Sequence, residues 1–324
     1  MLRKIIFTIF SLFTALVVLL LGWYLYNVCI VESKSAIEAA PATTQFIDIR
    51  DGEQIAYTEI NNDADTTVIF VGGLSAWGGT WERTVQKANG HTKDLNYIVM
   101  DLPPFGYTVS SIEKNYFRDT QAARIADFIT AKGISNVILV GHSYGGGPVT
   151  EYALSHPDLV KKLILIDAVL NIDGPEKTPA RGIVTNDPLR EFVIGSVIHF
   201  DPFALNRLQS FVYVTDNVTP DLLDTYTNYF SRDGVTPRLS TWFEDYLNDP
   251  LTYVSTDSKN YRSLPFPVRL IWGEEDTLTP ISDTDILIET VPDIHLSALS
   301  GVGHIPMIED YEQFDTALAE ALQK

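Results

Sequence analysis

The sequence predicts an α/β fold: a mostly parallel eight-stranded sheet flanked by helices, preceded by one apolar helix. Three observations carry this. From Phe46 onward, short β-branched runs alternate with longer amphipathic stretches. Most of the runs are apolar throughout, as strands buried on both faces are. Each run ends in a Gly, Asp or Pro cluster, where a chain leaves a sheet. Composition agrees, since 45% hydrophobic and 20% charged residues over 324 positions exclude a disordered, collagen-like or coiled-coil chain.

At the N-terminus, Arg3 and Lys4 precede an uncharged run from Ile5 to Val31. About twenty apolar residues cross the hydrocarbon of a bilayer, whereas the apolar part of a cleaved signal is usually about 7 to 15. Residues 1–31 therefore read as a retained signal-anchor, a transmembrane helix. Trp23, Tyr24 and Tyr26 suit the membrane interface, and Arg3 and Lys4 keep the N-terminus cytoplasmic, with the rest of the chain outside the cytoplasm or in a lumen. The alternatives are a cleaved signal, with small residues at Ala36 to Ala40, or lipid modification at Cys29, which Val28 disfavours. Residues 32–44 read as a polar linker.

A first core segment, 45–170, opens with Phe46 to Arg50 and Gln54 to Ile60 as a hairpin across Asp51-Gly52. Strands then follow at Thr67 to Val71, Tyr97 to Asp101, Val137 to Val140 and Lys162 to Ile166. A second segment, 265–324, holds Val268 to Trp272 and His295 to Leu299. Arg118 to Lys132, Gly146 to Ser155 and Tyr311 to Leu322 have helical spacing. Between the segments, residues 171–264 lack βα rhythm and are rich in aromatic residues, which predicts a helical cap.

With 23 basic against 42 acidic residues, the net charge is −19. That excludes a nucleic-acid partner, because a chain tracking phosphates needs a basic face. It also disfavours anionic substrates at the mouth of any site. Cys29 is the one cysteine and the six histidines show no paired ligand spacing, so neither a metal nor another cofactor is implied.

The chemistry concentrates where the strand Val137 to Val140 runs into Gly141-His142-Ser143-Tyr144-Gly145 and then a helix. This is G-x-S-x-G between strand and helix. The turn leaves the serine exposed on a strained backbone, Gly141 and Gly145 avoid collision with neighbouring backbone, and the helix N-terminus favours negative charge beside the serine oxygen. Serine is inert at its free pKa. It needs a base within hydrogen-bond reach, and the base needs a carboxylate to fix its tautomer.

From Phe46 to Leu322 the chain resembles the α/β-hydrolase family. Leu270-Ile271-Trp272-Gly273-Glu274-Glu275-Asp276 looks like the family's strand end with its acid, and Gly303-His304-Ile305-Pro306 like its histidine loop. The resemblance implies a catalytic triad of Ser143, Asp276 and His304. It also implies an oxyanion hole from the backbone N–H groups of Leu74 and Tyr144. In Gly72-Gly73-Leu74-Ser75, Gly72 stands where many relatives have histidine. Asp167 lies where some relatives carry the acid, although Asp276 has the fuller context. His142 is expected to point away across the turn in a structural role. Asp101 to Gly106 resembles a structural turn of the family, with Pro104 in place of a glycine.

The reading is a membrane-anchored serine hydrolase acting on carboxylic esters with neutral, apolar acyl groups. Alternatives are a carbon–carbon bond hydrolase, aminopeptidase or perhydrolase, or a binding module with a vestigial triad.

Overall fold

The computed structural model describes residues 2–110, 115–174 and 185–323. The positions 1, 175–184 and 324 of the expected anchor, cap and second core segment lie outside them. The sheet contains β1 (Gln45–Asp48), β2 (Gln54–Ile60), β3 (Thr67–Val71), β4 (Asn96–Met100), β5 (Val137–His142), β6 (Val160–Ile166), β7 (Val268–Gly273) and β8 (Ile294–Leu299). Their order is β1-β2-β4-β3-β5-β6-β7-β8. β2 pairs antiparallel with β1 and β4, and every other pair is parallel. The eight strands are those expected from the sequence, with ends shifted by a few residues.

Side-chain alternation explains why both faces are covered. Val137 and Leu139 of β5 enter one apolar layer with Ile69, Leu165 and Trp272. Ile138 and Val140 enter the other with Phe70, Ile164 and Phe314. The helices α2 (Gly78–His91), α3 (Arg118–Lys132) and α4 (Gly146–Ser155) lie between successive strands. Helix α2 was not evident in the sequence. Only a narrow stripe, Trp81, Val85 and Ala88, carries its burial, and three glycines interrupt the pattern.

The segment between β6 and β7 supplies α5 (Asp187–Val197), α6 (Asp201–Gln209), α7 (Pro220–Thr227) and α8 (Val235–Asn248). After β7 come α9 (Asp285–Thr290) and, after β8, α10 (Tyr311–Gln323).

The N-terminal helix α1 (Leu2–Tyr26) continues as a π-helical turn to Val31. From Arg3 to Val31 it is long and apolar enough to cross a membrane, and most of its large side chains are exposed. Its last turns touch α5. Trp23 Nε1 donates to the Ser196 carbonyl (2.9 Å), Asn27 Nδ2 to the Gly195 carbonyl (3.0 Å), and the Tyr24 ring packs on Phe192. Two of the rings expected at a lipid interface thus contact protein.

The expected linker is likewise packed. Glu32 is buried against Thr236 and His199, and Ser35 and Glu38 form a capping box over Ala36–Ala39. The Lys34 backbone pairs with the strand-like segment at Arg232, donating to the Ser231 carbonyl and accepting from Asp233 N. A buried carboxylate held by two residues distant in the chain cannot belong to a free tether.

Candidate active site

Three strands of the sheet deliver three side chains to the same C-terminal edge, where ligands bind in open α/β sheets. Ser143 follows β5 with φ +50°, the left-handed strain expected of the turn. The flanking glycines are required by contact. A Cβ on Gly145 would lie 2.5 Å from the carbonyl oxygens of Val71 and Gly72, and one on Gly141 would lie 2.8 Å from Gly146 Cα.

Ser143 Oγ is 2.8 Å from His304 Nε2, and His304 Nδ1 is 2.7 Å from Asp276 Oδ2. All three residues are buried. Asp276 loops back after β7, where Leu278 N and Thr279 N donate to Oδ1 and Thr279 Oγ1 donates to Oδ2 at 2.6 Å. Burial alone would raise its pKa. Hydrogen bonds from His304 and Thr279, with the attraction of the imidazole, outweigh burial and hold it at about 2. The carboxylate is therefore ionised and keeps the Nδ1–H tautomer, leaving Nε2 free to accept the serine proton.

The Leu74 and Tyr144 N–H groups, expected to form an oxyanion hole, have no protein acceptor among the described residues. The loop that carries Leu74 approaches the serine closely, since a Cβ on Gly73 would lie 2.7 Å from Ser143 Cβ. Leu74, Ser143 and Tyr144 all line one cavity.

A family model described as the alpha/beta hydrolase fold matches residues 66–311. The chain belongs to the α/β hydrolase fold family. Relatives include lipase 3 of a Moraxella species, 24% identical over 89% of this chain and 87% of its own. Another is a 2-hydroxy-6-oxononadienedioate/2-hydroxy-6-oxononatrienedioate hydrolase of Pseudomonas putida, 24% identical over 87% of this chain and 97% of its own. Among solved structures, a bacterial membrane phospholipase A is 21% identical, covers 100% of both chains and gives a TM-score of 0.65. A meta-cleavage product hydrolase of Pseudomonas fluorescens is 22% identical, covers 86% of this chain and 97% of its own, and gives 0.68.

Within this α/β hydrolase, His142 departs from expectation. It does not point away from the site: its Nε2 donates to the His304 carbonyl at 2.9 Å, and the two rings are 5.3 Å apart. Burial first, then repulsion from His304, pushes His142 down to about 3, so it is a neutral brace. Asp167, the alternative acid, accepts from Gly273 N at 2.9 Å and makes no contact with the imidazole among the hydrogen bonds of the described residues. Burial, reinforced by the Asp276 charge, raises its pKa well above the carboxylate range.

Two supporting residues were not read from the sequence. Thr279 is one. Glu309 is the other: buried, it accepts from the N–H groups of Gly303 and Ile305, on either side of His304, and from Tyr213 and Val214. An acidic side chain ending the apolar run Ile305-Pro306-Met307-Ile308 was the available signal.

The cavity over Ser143 has a volume of about 1070 Å³. Helices α5, α6 and α8 roof it with Val193, Val197, Phe203, Trp242 and Phe243. Other aromatic residues of the expected cap do different work: Tyr229 and Phe230 are buried in its core, while Phe200 and Tyr213 are exposed.

Proposed function

We propose that the protein is a membrane-anchored serine hydrolase that cleaves carboxylic esters with apolar acyl groups. The observation that carries this is the continuous Ser143–His304–Asp276 relay opening into an apolar cavity of about 1070 Å³. Ser143 Oγ attacks the ester carbonyl carbon while its proton passes to His304 Nε2, and Asp276 stabilises the imidazolium. The carbonyl electrons move onto oxygen, which the Leu74 and Tyr144 N–H groups receive. Collapse of this intermediate expels the alcohol, which takes the proton from His304, and leaves an acyl-Ser143. Water, deprotonated by the same imidazole, then releases the acid and restores the serine.

The roof is a cap, residues 171–264, whose apolar side chains favour longer acyl groups because each buried methylene contributes about 0.8 kcal/mol. Helix α1 spans the bilayer with its N-terminus in the cytoplasm and the catalytic domain on the other side. Similarity over the whole chain to a membrane phospholipase A supports a lipid-like ester.

Labelling by a fluorophosphonate, lost in Ser143→Ala, tests the nucleophile. A p-nitrophenyl ester series tests the cavity: kcat/KM rises from acetate toward hexanoate. A vinylogous diketone turned over while every ester is refused would move the protein to carbon–carbon bond hydrolysis, which the Pseudomonas putida relative's name suggests.

A further inference from the structure

Arg207, on α6, brings a cation to the wall of the mostly apolar cavity beside Ser143, a wall that Arg190 also lines. Its hydrogen bond from Nη2 to Ser75 Oγ is long, at 3.4 Å, and no acidic partner stands against it among the described residues. Other buried arginines hold closer partners, although Arg232 Nε finds no acceptor among the described residues. Arg124 makes two hydrogen bonds to Glu53, Arg190 pairs with Glu244 and Asp187, and Arg232 donates to the carbonyls of Thr108 and Pro104. Leaving a guanidinium half-buried without a counter-ion costs stability, and burial lowers its pKa from the usual arginine value.

The position is informative. Ser75 follows Leu74, the oxyanion-hole residue of the proposed mechanism, and its Oγ also lies 3.3 Å from the Tyr229 hydroxyl. Guanidinium, serine hydroxyl and tyrosine hydroxyl therefore meet beside the loop that cradles the reacting carbonyl. The guanidinium fork, with the Ser75 hydroxyl it reaches, suits a phosphate or carboxylate oxyanion. The carboxylates that line the cavity, Asp283, Asp285 and Glu289, are exposed and lie on or near α9, after β7.

We propose that Arg207 is a specificity-determining residue that binds an oxyanionic group of the substrate, so that the ester carries an apolar acyl chain and a phosphate or carboxylate. This rests on the ester-hydrolase reading and refines it, since the acidic surface disfavours anions outside while Arg207, unlike the carboxylate-paired Arg190 of the same wall, receives them within. The net charge governs approach, and Arg207 governs the bound state.

Binding of hexyl phosphate, hexanoate and hexanol to the full-length protein in neutral detergent, by titration calorimetry, tests it without turnover. At least one anion should bind about tenfold or more tighter than hexanol, as a charge-assisted hydrogen bond implies. Arg207→Gln should erase that preference, and Arg207→Lys should keep part of it. The anion that loses more identifies the headgroup. Removing an uncompensated cation should leave Tm unchanged or raise it. An anion preference that survives Arg207→Gln overturns the proposal, as does a fall in Tm with equal loss of all three ligands in both variants. Absent fluorophosphonate labelling would instead sink the hydrolase reading, leaving the binding result to stand.

Discussion

Asp167 and Asp276 end adjacent strands within reach of one another, and their pKa values are pushed apart: burial raises Asp167, whereas hydrogen bonds from His304 and Thr279 hold Asp276 at about 2. The Asp276 charge adds to the burial that disfavours ionisation of Asp167.

Asparagine mimics a neutral acid but not a carboxylate. Asp276→Asn should therefore lower kcat/KM on a p-nitrophenyl ester by a factor on the order of 10³–10⁴, whereas Asp167→Asn should cost less than about tenfold. Inactive Asp167→Asn beside active Asp276→Asn would exchange their roles.

His142 sets a pH dependence of stability. Its folded pKa is about 3, below the ordinary imidazole value of about 6.5, so the unfolded chain binds the extra proton between those values. Its contribution is present above pH 6.5 and lost as pH falls toward 3. Gln can still donate to the His304 carbonyl but cannot titrate. Urea midpoints of His142→Gln should accordingly lose less than wild type between pH 6.5 and 4, and parallel curves would refute the buried neutral state.

Glu309 holds the histidine loop by four backbone N–H groups. Glu309→Ala should leave those donors buried and unpaired, lowering Tm by several degrees and kcat by about tenfold or more. Glu309→Gln keeps one acceptor oxygen and should fall between. An alanine variant with wild-type kcat would show that His304 is positioned without it.

Two glycines predict opposite outcomes. Gly145→Ala drives a methyl into the Val71 and Gly72 carbonyls and should abolish activity or folding. Gly90→Ala, where a Cβ meets nothing within 4 Å on α2, should stabilise by about 0.5 kcal/mol. Thermal unfolding and ester turnover of both variants check this.

Helix α1 should keep the chain with membranes after carbonate extraction. Deleting residues 1–26 should release it yet preserve the Asn27 and Glu32 contacts with α5 and α8. Deleting 1–44 removes them and should lower Tm further. A mature chain beginning near Ala40 would replace the anchor with a cleaved signal.

The sequence by itself determined the strands, the elbow glycines and the order of Ser143, Asp276 and His304, because these signals are local. Burial on both faces demands an apolar run, and a strained turn demands glycine wherever it occurs. Only the tertiary structure decided that Asp276 rather than Asp167 meets the imidazole, since the choice depends on how the loop after β7 folds back. It also decided that His142 braces His304, that Glu309 ties the histidine loop to the segment after α6, and that Arg207 faces the cavity with no acidic partner among the described residues. Each joins residues far apart in the chain, or turns on a side-chain direction that no spacing encodes. Trp23 and Tyr24 show the same limit: an aromatic pair at the end of an apolar helix suits lipid or protein equally, and the packing of α1 on α5 chose protein.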